Sequence, residues 1–520
     1  MKLSNHYLML TGISFIGCTL STSTLASNKK EKNSQPNVIF FALDDLNDMI
    51  NPLGYSQVKT PNFDRLAKSG MSFSNAHAAG TFSAPSRAAI MTGLHVTKSG
   101  CYEEDFFMYD HPDYVTLQMA FKNGGYQTFG AGKIYHHRSG FLDQRGWDEY
   151  HSRSQEEKDM AWEMNGYHMN DVPLPTPYPN SPYYIKTGKK GGTALHLEWG
   201  PIDNNKENEM VDVIRTNWAC EVIRRKHDKP FFLALGLYSP HYPNYAPQKY
   251  FDLYNRDSIQ LPPYKEGDID DLPPQIRMMA QNKMKQHKEL EAIDAVKDAI
   301  LGYLACVSFA DAMLGKVLDE LDASPYKKNT IVVAFSDQGF HLGEKGIWGK
   351  HTLWQRTSHV PFLWAGPGIP KNTRVSTTVS LIDMYPTFVE LCKLPNNTVL
   401  DGVSLASTLK NPKSAKERNV ILPYPKRGGY AVINMNWRYI QYEDKTEEFY
   451  NRIEDPNDWT NLATNPKYRA IMDEMKKSGP TSFAPQVTPK KDLDLIVEGD
   501  KFRWVKKDKN RPKQTRNFFE

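Results

Sequence analysis

Asp44-Asp45 and Asp337-Gln338 each close an apolar run, Val38 to Leu43 and Ile331 to Phe335. Carboxylates and an amide oxygen are hard ligands that suit calcium or magnesium better than a thiolate-seeking metal. Two such acidic ends in one chain point to a shared cation site, although either pair alone also fits a turn or a helix cap. Lys133, His136, His241 and Lys350 lie close to turn-forming sequence beyond apolar segments. Two ammonium groups and two imidazoles beside a hard cation would hold a tetrahedral oxyanion. Histidine also exchanges protons near neutral pH. Ser83, four residues before Arg87, offers an oxygen nucleophile if a metal activates it. The chemistry indicated is hydrolysis of a sulfate or phosphate ester. Taken singly, His241 between Pro240 and Pro243 also fits a plain loop, and Lys350 an exposed lysine.

These groups need elements to converge. Asn37 to Leu43, Phe231 to Leu237 and Ile331 to Asp337 read as buried strands, and Phe129 to Ile134 as a fourth. Acidic residues at the carboxyl end of a central strand are where open α/β sheets place ligands. Pro61 to Lys68, Arg87 to Met91 and Tyr114 to Lys122 read as helices, and Lys288 to Leu321 has long helical character. The alternation favours an α/β sandwich over an all-β fold. Residues 154–210 and 242–285 have little periodicity and are expected to build substrate walls. Beyond about residue 400, Tyr430 to Ile433 and Arg438 to Tyr442 suggest a small antiparallel sheet, followed by a helix near Tyr468 to Lys476.

The chain has 520 residues and a formal charge of only +4, which says little about partners. Residues 1–27 resemble a secretory signal, with Thr24-Leu25-Ala26 as a cleavage site. Its apolar run is too short for an ordinary membrane span, and no transmembrane helix is expected. Phe15-Ile16-Gly17-Cys18 also resembles a lipoprotein box, so Cys18 is a candidate lipid anchor. The expectation is export: periplasmic or secreted, or held at the outer membrane. Residues 28–400 would form the catalytic part and 401–520 a smaller α+β part with a basic tail. Cys101, Cys220, Cys306 and Cys392 match no zinc spacing and fit either buried thiols or one disulfide. Lys501, Arg503, Lys506, Lys507, Lys509, Arg511, Lys513 and Arg516 fit a polyanion contact or a solvated tail. No nucleic-acid module is recognisable.

The run Ser83-Ala84-Pro85-Ser86-Arg87 through Gly93 resembles the formylglycine signature of type I sulfatases. Further stretches resemble that family, which lies in the alkaline phosphatase superfamily. They include Thr60 to Ala67, Gly132-Lys133-Ile134-Tyr135-His136, Ser336-Asp337-Gln338-Gly339, Trp348-Gly349-Lys350 and Glu448-Phe449-Tyr450. Phe231 through His241 leans towards the iduronate-2-sulfatase branch and related bacterial polysaccharide sulfatases. The resemblance implies a large mixed β-sheet sandwiched by helices, with a smaller C-terminal antiparallel sheet packed by a helix.

It also implies roles. Asp44, Asp45, Asp337 and Gln338 would bind calcium (magnesium as the lesser choice), with residue 83 completing the shell. Gln338 stands where many relatives have Asn. Arg87 would hold residue 83, Lys133, His241 and Lys350 would grip sulfate, and His136 would contact the formylglycine hydroxyl. In the implied cycle, one hydroxyl of hydrated formylglycine attacks sulfur while His241, aided by Lys350, protonates the departing sugar oxygen. His136 then takes the proton of the second hydroxyl, which expels sulfate and regenerates the aldehyde. A maturation enzyme must first oxidise residue 83. Ser83 fits a serine-type precursor or a replacement of Cys made to trap substrate. The expected substrate is a sulfated algal polysaccharide or oligosaccharide such as carrageenan, with 2-O-sulfated uronate of ulvan or glycosaminoglycan as the alternative. The remaining alternatives are a phosphoesterase using unmodified Ser83, and an inactive protein that binds sulfated glycans.

Overall fold

The computed structural model describes residues 35–136, 143–151, 186, 197–395, 399–498 and 501–508. The leader, Cys18, most of the first insertion and residues 509–520 of the basic tail fall outside them.

The main strands are β1 (Asn37–Leu43), β2 (Met71–Phe73), β3 (Gln127–Gly132), β4 (Glu149–Tyr150), β5 (Phe231–Gly236), β6 (Thr330–Ser336), β7 (Phe362–Ala365) and β8 (Thr373–Val375). They form one eight-stranded sheet in the order β8-β2-β7-β6-β1-β5-β3-β4. The central strands β6, β1, β5 and β3 are parallel, whereas β7 runs antiparallel to β6 and β2, so the sheet is mixed. The central strands read as continuous apolar runs because both faces are covered. Alternate residues of β1 face opposite layers: Val38, Phe40 and Ala42 pack into one core, Ile39, Phe41 and Leu43 into the other.

The first layer contains α2 (Ser83–Thr92), α3 (Leu117–Asn123) and α7 (Met384–Cys392). The second contains α1 (Pro61–Ser69), α4 (Val211–Arg224) and α6 (Val296–Ala323), and α5 (Pro274–Ala292) precedes α6 across a short break. Helix α6 is long and apolar enough to cross a membrane, but it packs on the sheet as a core helix. Gly93 ends α2 at φ 69°.

Several boundaries differ from expectation. Lys288 to Leu321 is helical as expected but in two pieces: α5 stops at Ala292, and Asp294 turns left-handed at φ 51° before α6 begins. Helix α5 also takes up residues 274–285, which looked aperiodic. Strand β3 stops at Gly132, two residues early, where φ is +71° and an added Cβ would lie 2.0 Å from the Gly236 carbonyl oxygen.

Strands β9 (Val420–Pro423), β10 (Tyr430–Ile433), β11 (Trp437–Gln441) and β12 (Glu447–Asn451) form an antiparallel sheet. Helix α8 (Arg469–Lys477) packs on it through Met472 and Met475 against Tyr430, Val432, Tyr439 and Phe449. Part of the basic tail is not a free coil: β13 (Leu493–Glu498) and β14 (Lys501–Lys506) pair as a hairpin. Cys101, Cys220, Cys306 and Cys392 are buried free thiols, so no disulfide forms among the described residues.

Candidate functional site

Strand register builds the site. Leu43 of β1 pairs with Ser336 of β6, so Asp44 and Asp337 leave the sheet side by side. Ala42 and Gly132 both pair with Gly236 of β5, which brings Lys133 to the same rim and starts the loop carrying His241. Both Gly132 and Gly236 face close backbone, and a Cβ on Gly236 would lie 2.2 Å from the Lys133 carbonyl oxygen. Thus two glycines let the β3 and β5 ends approach.

Helix α2 begins at Ser83, four residues before the expected start, and its first turn points at this rim. Ser83 Oγ donates to Asp44 Oδ1 at 2.8 Å. Arg87, one turn later, donates from Nε to Asp337 Oδ2 at 2.7 Å and from Nη2 to the Leu43 carbonyl at 3.1 Å. It also donates to the Lys133 carbonyl, so one buried guanidinium ties three strand ends together. The side chains of Arg87 and Ser83 meet through Asp44, which both contact. Lys133 Nζ pairs with Asp44 Oδ2, and Lys350 Nζ with Asp45 Oδ1 at 2.6 Å. His241 Nε2 stands 3.6 Å from Asp45 Oδ2, and its Nδ1 lies 2.5 Å from the Tyr242 carbonyl. His136 sits at the edge, 3.5 Å from Glu104 and edge-on to Phe82.

Asp44, Asp45 and Asp337 can each aim one oxygen into a common space, all within 4.8 Å of one another, and all three are buried. Gln338 donates its amide nitrogen to Asp45, leaving Gln338 Oε1 without a hydrogen bond, and Asp45 Oδ2 also accepts none. Four buried oxygen donors with two unsatisfied atoms fit a hard divalent cation.

The electrostatics agree. Burial pushes Asp337 up to about 7 and Asp45 up to about 6, against the pull of Arg87 and Lys350. Asp44 is also penalised by burial, but Lys133, Arg87 and Lys350 together hold it well below the usual range. Three adjacent carboxylates do not ionise easily together, and a cation would supply the missing charge. Burial and then Lys350 drive His241 down to about 3, so its ring is neutral without an anion. Lys350 is penalised by burial, yet Asp45 and Asp44 keep it protonated.

Sequence reasoning missed three supporting groups. Asp212, at the start of α4, accepts the Tyr238 and Ser239 N–H groups at 3.0 Å and so fixes the loop leading to His241. Tyr303 donates to the Asp45 carbonyl at 2.7 Å. Lys283 donates to the Lys350 carbonyl at 2.6 Å. None belongs to a local motif; their partners lie far away in sequence.

The site is the rim of a mixed sheet where a helix-borne hydroxyl, a carboxylate cage and cations meet. The sulfatase family profile matches residues 36–394. Residues 343–479 match the C-terminal region described for N-sulphoglucosamine sulphohydrolase. A sulfatase of Formosa agariphila is 37% identical over 93% of this chain and 93% of its own. Human iduronate 2-sulfatase is 28% identical over 69% of this chain and 65% of its own. An ulvan-active sulfatase of Formosa agariphila is 25% identical over 90% of this chain and 86% of its own. With that match spanning most of the chain and this geometry at its centre, the chain belongs to the sulfatase family and is a sulfuric ester hydrolase.

Proposed function

We propose that this sulfatase is exported and removes sulfate from a sugar of an algal polysaccharide or oligosaccharide, with 2-O-sulfated uronate as the favoured unit. The observation that carries the hydrolytic reading is the convergence of Ser83, Asp44, Asp45 and Asp337 with Arg87, Lys133, Lys350 and His241 in one buried rim. The name of one relative, iduronate 2-sulfatase, favours a 2-O-sulfated uronate over the sulfated galactan carrageenan, and that of another, an ulvan-active sulfatase, favours an algal polysaccharide.

In this reading Asp44, Asp45, Asp337 and Gln338 hold calcium, and residue 83 is matured to formylglycine by a dedicated enzyme. Held there, calcium would supply Lewis-acid charge, and formylglycine would supply the nucleophilic hydroxyl. The rest falls to the chain's own side chains. Lys133 and Lys350 neutralise negative charge spreading over the transferring group. Arg87 fixes Asp337 and the strand ends. His241 keeps the Nδ1 proton on the Tyr242 carbonyl and presents Nε2. A bound sulfate ester brings negative charge to that nitrogen and favours the imidazolium, which can then protonate the leaving oxygen. Lys350, already charged, supports that transfer. His136, 3.5 Å from Glu104, is suited to take a proton when sulfate departs.

The test pairs mass analysis with turnover. Protein co-produced with a maturation enzyme should lose two hydrogens at residue 83 and release sulfate from 2-O-sulfated uronate oligosaccharides. Unmodified protein should bind them and turn over at least a hundredfold more slowly. Faster release from carrageenan would reject uronate as the favoured unit. Release of phosphate but not sulfate from matched esters would reject the substrate class.

A further inference from the structure

Beside the sulfate-holding rim opens a cavity of about 340 Å³, within the roughly 300–1,000 Å³ of ordinary ligand pockets. Its inner wall adjoins the site along the chain. Phe82 immediately precedes Ser83, His351 immediately follows Lys350, and the two rings lie 4.6 Å apart. Glu104, on one side, is the residue 3.5 Å from His136. None of its lining residues comes from 197–210 or 242–285, the described parts of the expected substrate walls.

The outer wall comes from the far end of the chain. Residues 484–491 lie along residues 97–106 through the Ala484 N–H on the Thr97 carbonyl at 2.7 Å, Val487 on Gly100 at 3.1 Å, and Lys490 on Glu104 at 2.8 Å. Asp105 and Pro489 form a β-bridge, and Gln486 donates to Asp105 at 3.0 Å. Gly100 has φ +74°, and a Cβ there would lie 2.2 Å from the Pro485 carbonyl oxygen. Trp504 of β14 packs on Phe106 at 4.4 Å, anchoring the hairpin that follows. This strap lies beyond residue 479, where the family match ends. It sets Lys490 and Lys491 on the cavity, with Lys490 Nζ 3.4 Å from Glu104 and Lys491 exposed.

Resting on the proposed function, we propose that Lys490 and Lys491 form a specificity subsite that reads a second anionic group of the substrate, a carboxylate or a further sulfate. The cavity is divided by charge. Glu103, Glu104 and Asp105 line its acidic side; Asp105 is held by the Gln486 amide, the two glutamates can accept hydrogen bonds from sugar hydroxyls, and Phe82 offers an apolar face. The lysine pair adds point charges that a neutral sugar cannot use and an acidic sugar can. In the proposed function Lys133 and Lys350 hold the sulfate being cleaved, and the exposed Lys491, with Lys490 shared with Glu104, would meet a second charge.

The test measures binding by calorimetry on the unmodified Ser83 chain, so that it does not depend on turnover. Three probes are used: a 2-O-sulfated uronate disaccharide, a disulfated neutral galactose disaccharide, and a monosulfated neutral galactose disaccharide. The Lys490→Gln/Lys491→Gln double variant should bind at least one doubly anionic probe about tenfold more weakly, and the monosulfated one within twofold of wild type. Loss confined to the uronate probe would assign a carboxylate, and loss confined to the disulfate a second sulfate. The single Lys491→Gln variant should lose part of the same affinity; because this side chain is exposed, it keeps the test independent of folding. Equal weakening of all three probes, or no weakening of either doubly anionic probe, would overturn the subsite. A matured wild type that frees no sulfate from any probe would instead count against the proposed function, and the binding comparison would still read the subsite.

Discussion

Gln338 places a longer side chain at the carboxylate cage than Asn would, and the extra methylene lets its amide reach Asp45. The amide's two ends are interchangeable by rotation, so the oxygen left unsatisfied here is available to a cation. If calcium sits among Asp44, Asp45, Asp337 and Gln338, it binds only the folded chain and stabilises it by mass action. Calcium should therefore raise the melting temperature of wild type, and Asp45→Asn should weaken calcium binding at least tenfold and shrink that rise. Titration calorimetry with parallel melting curves checks both; unchanged affinity would place the cation elsewhere. At this scale the sequence was most informative. Every candidate residue with a side chain at the rim was named by a motif or by its position after an apolar run. Lys283, Tyr303 and Asp212 were not, because each acts on a backbone group more than twenty residues distant, and local sequence carries no trace of such pairings.

Two aspartates show how elements are held for different ends. Asp311 on α6 accepts the Asn62 and Phe63 N–H groups at 3.0 and 2.8 Å, capping α1 from outside. Asp212 does the same for the loop after β5, but that loop carries His241. Loss of a cap costs roughly 0.5–2 kcal/mol, and unsatisfied buried N–H groups cost about 1–3 kcal/mol. Asp311→Ala should therefore lower the melting temperature with kcat on a small aryl sulfate unchanged. Asp212→Ala should lower both, with kcat falling at least tenfold. Equal kinetic effects would show that the loop position does not depend on Asp212. The strands were legible because buried parallel strands are short apolar runs bounded by polar residues. Helix α5 was not. Its solvent face is rich in Lys, Gln and Glu, and Ile276, Ala280 and Leu290 are its main buried contacts. Its good helix formers were a signal that an apolar pattern alone overlooked.

Across the whole molecule, the strap joins the end of the described chain to the site, and Asp105 is its most conditional fastening. Burial pushes Asp105 up to about 6, although the Glu103 N–H and Gln486 amide favour the ionised form. The acid's folded pKa thus exceeds its unfolded value, and the folded chain binds the extra proton between about pH 4 and 6. Its contribution is complete below pH 4, declines across that window and is flat above it. With one pKa unit worth about 1.4 kcal/mol, ionisation costs at most about 3 kcal/mol. Melting curves from pH 4 to 7 should show this decline in wild type and a flatter profile in Asp105→Asn. Identical profiles would remove Asp105 as the titrating group.

The four buried thiols extend the point into kinetics. Burial raises all of them, so none reacts until its surroundings open. Cys101 lies under the strap, Cys220 on α4, Cys306 in the middle of α6 and Cys392 at the end of α7. They act as internal clocks spread over the fold, each stopped until one region breathes, and their alkylation rates would time the loosening of the molecule part by part.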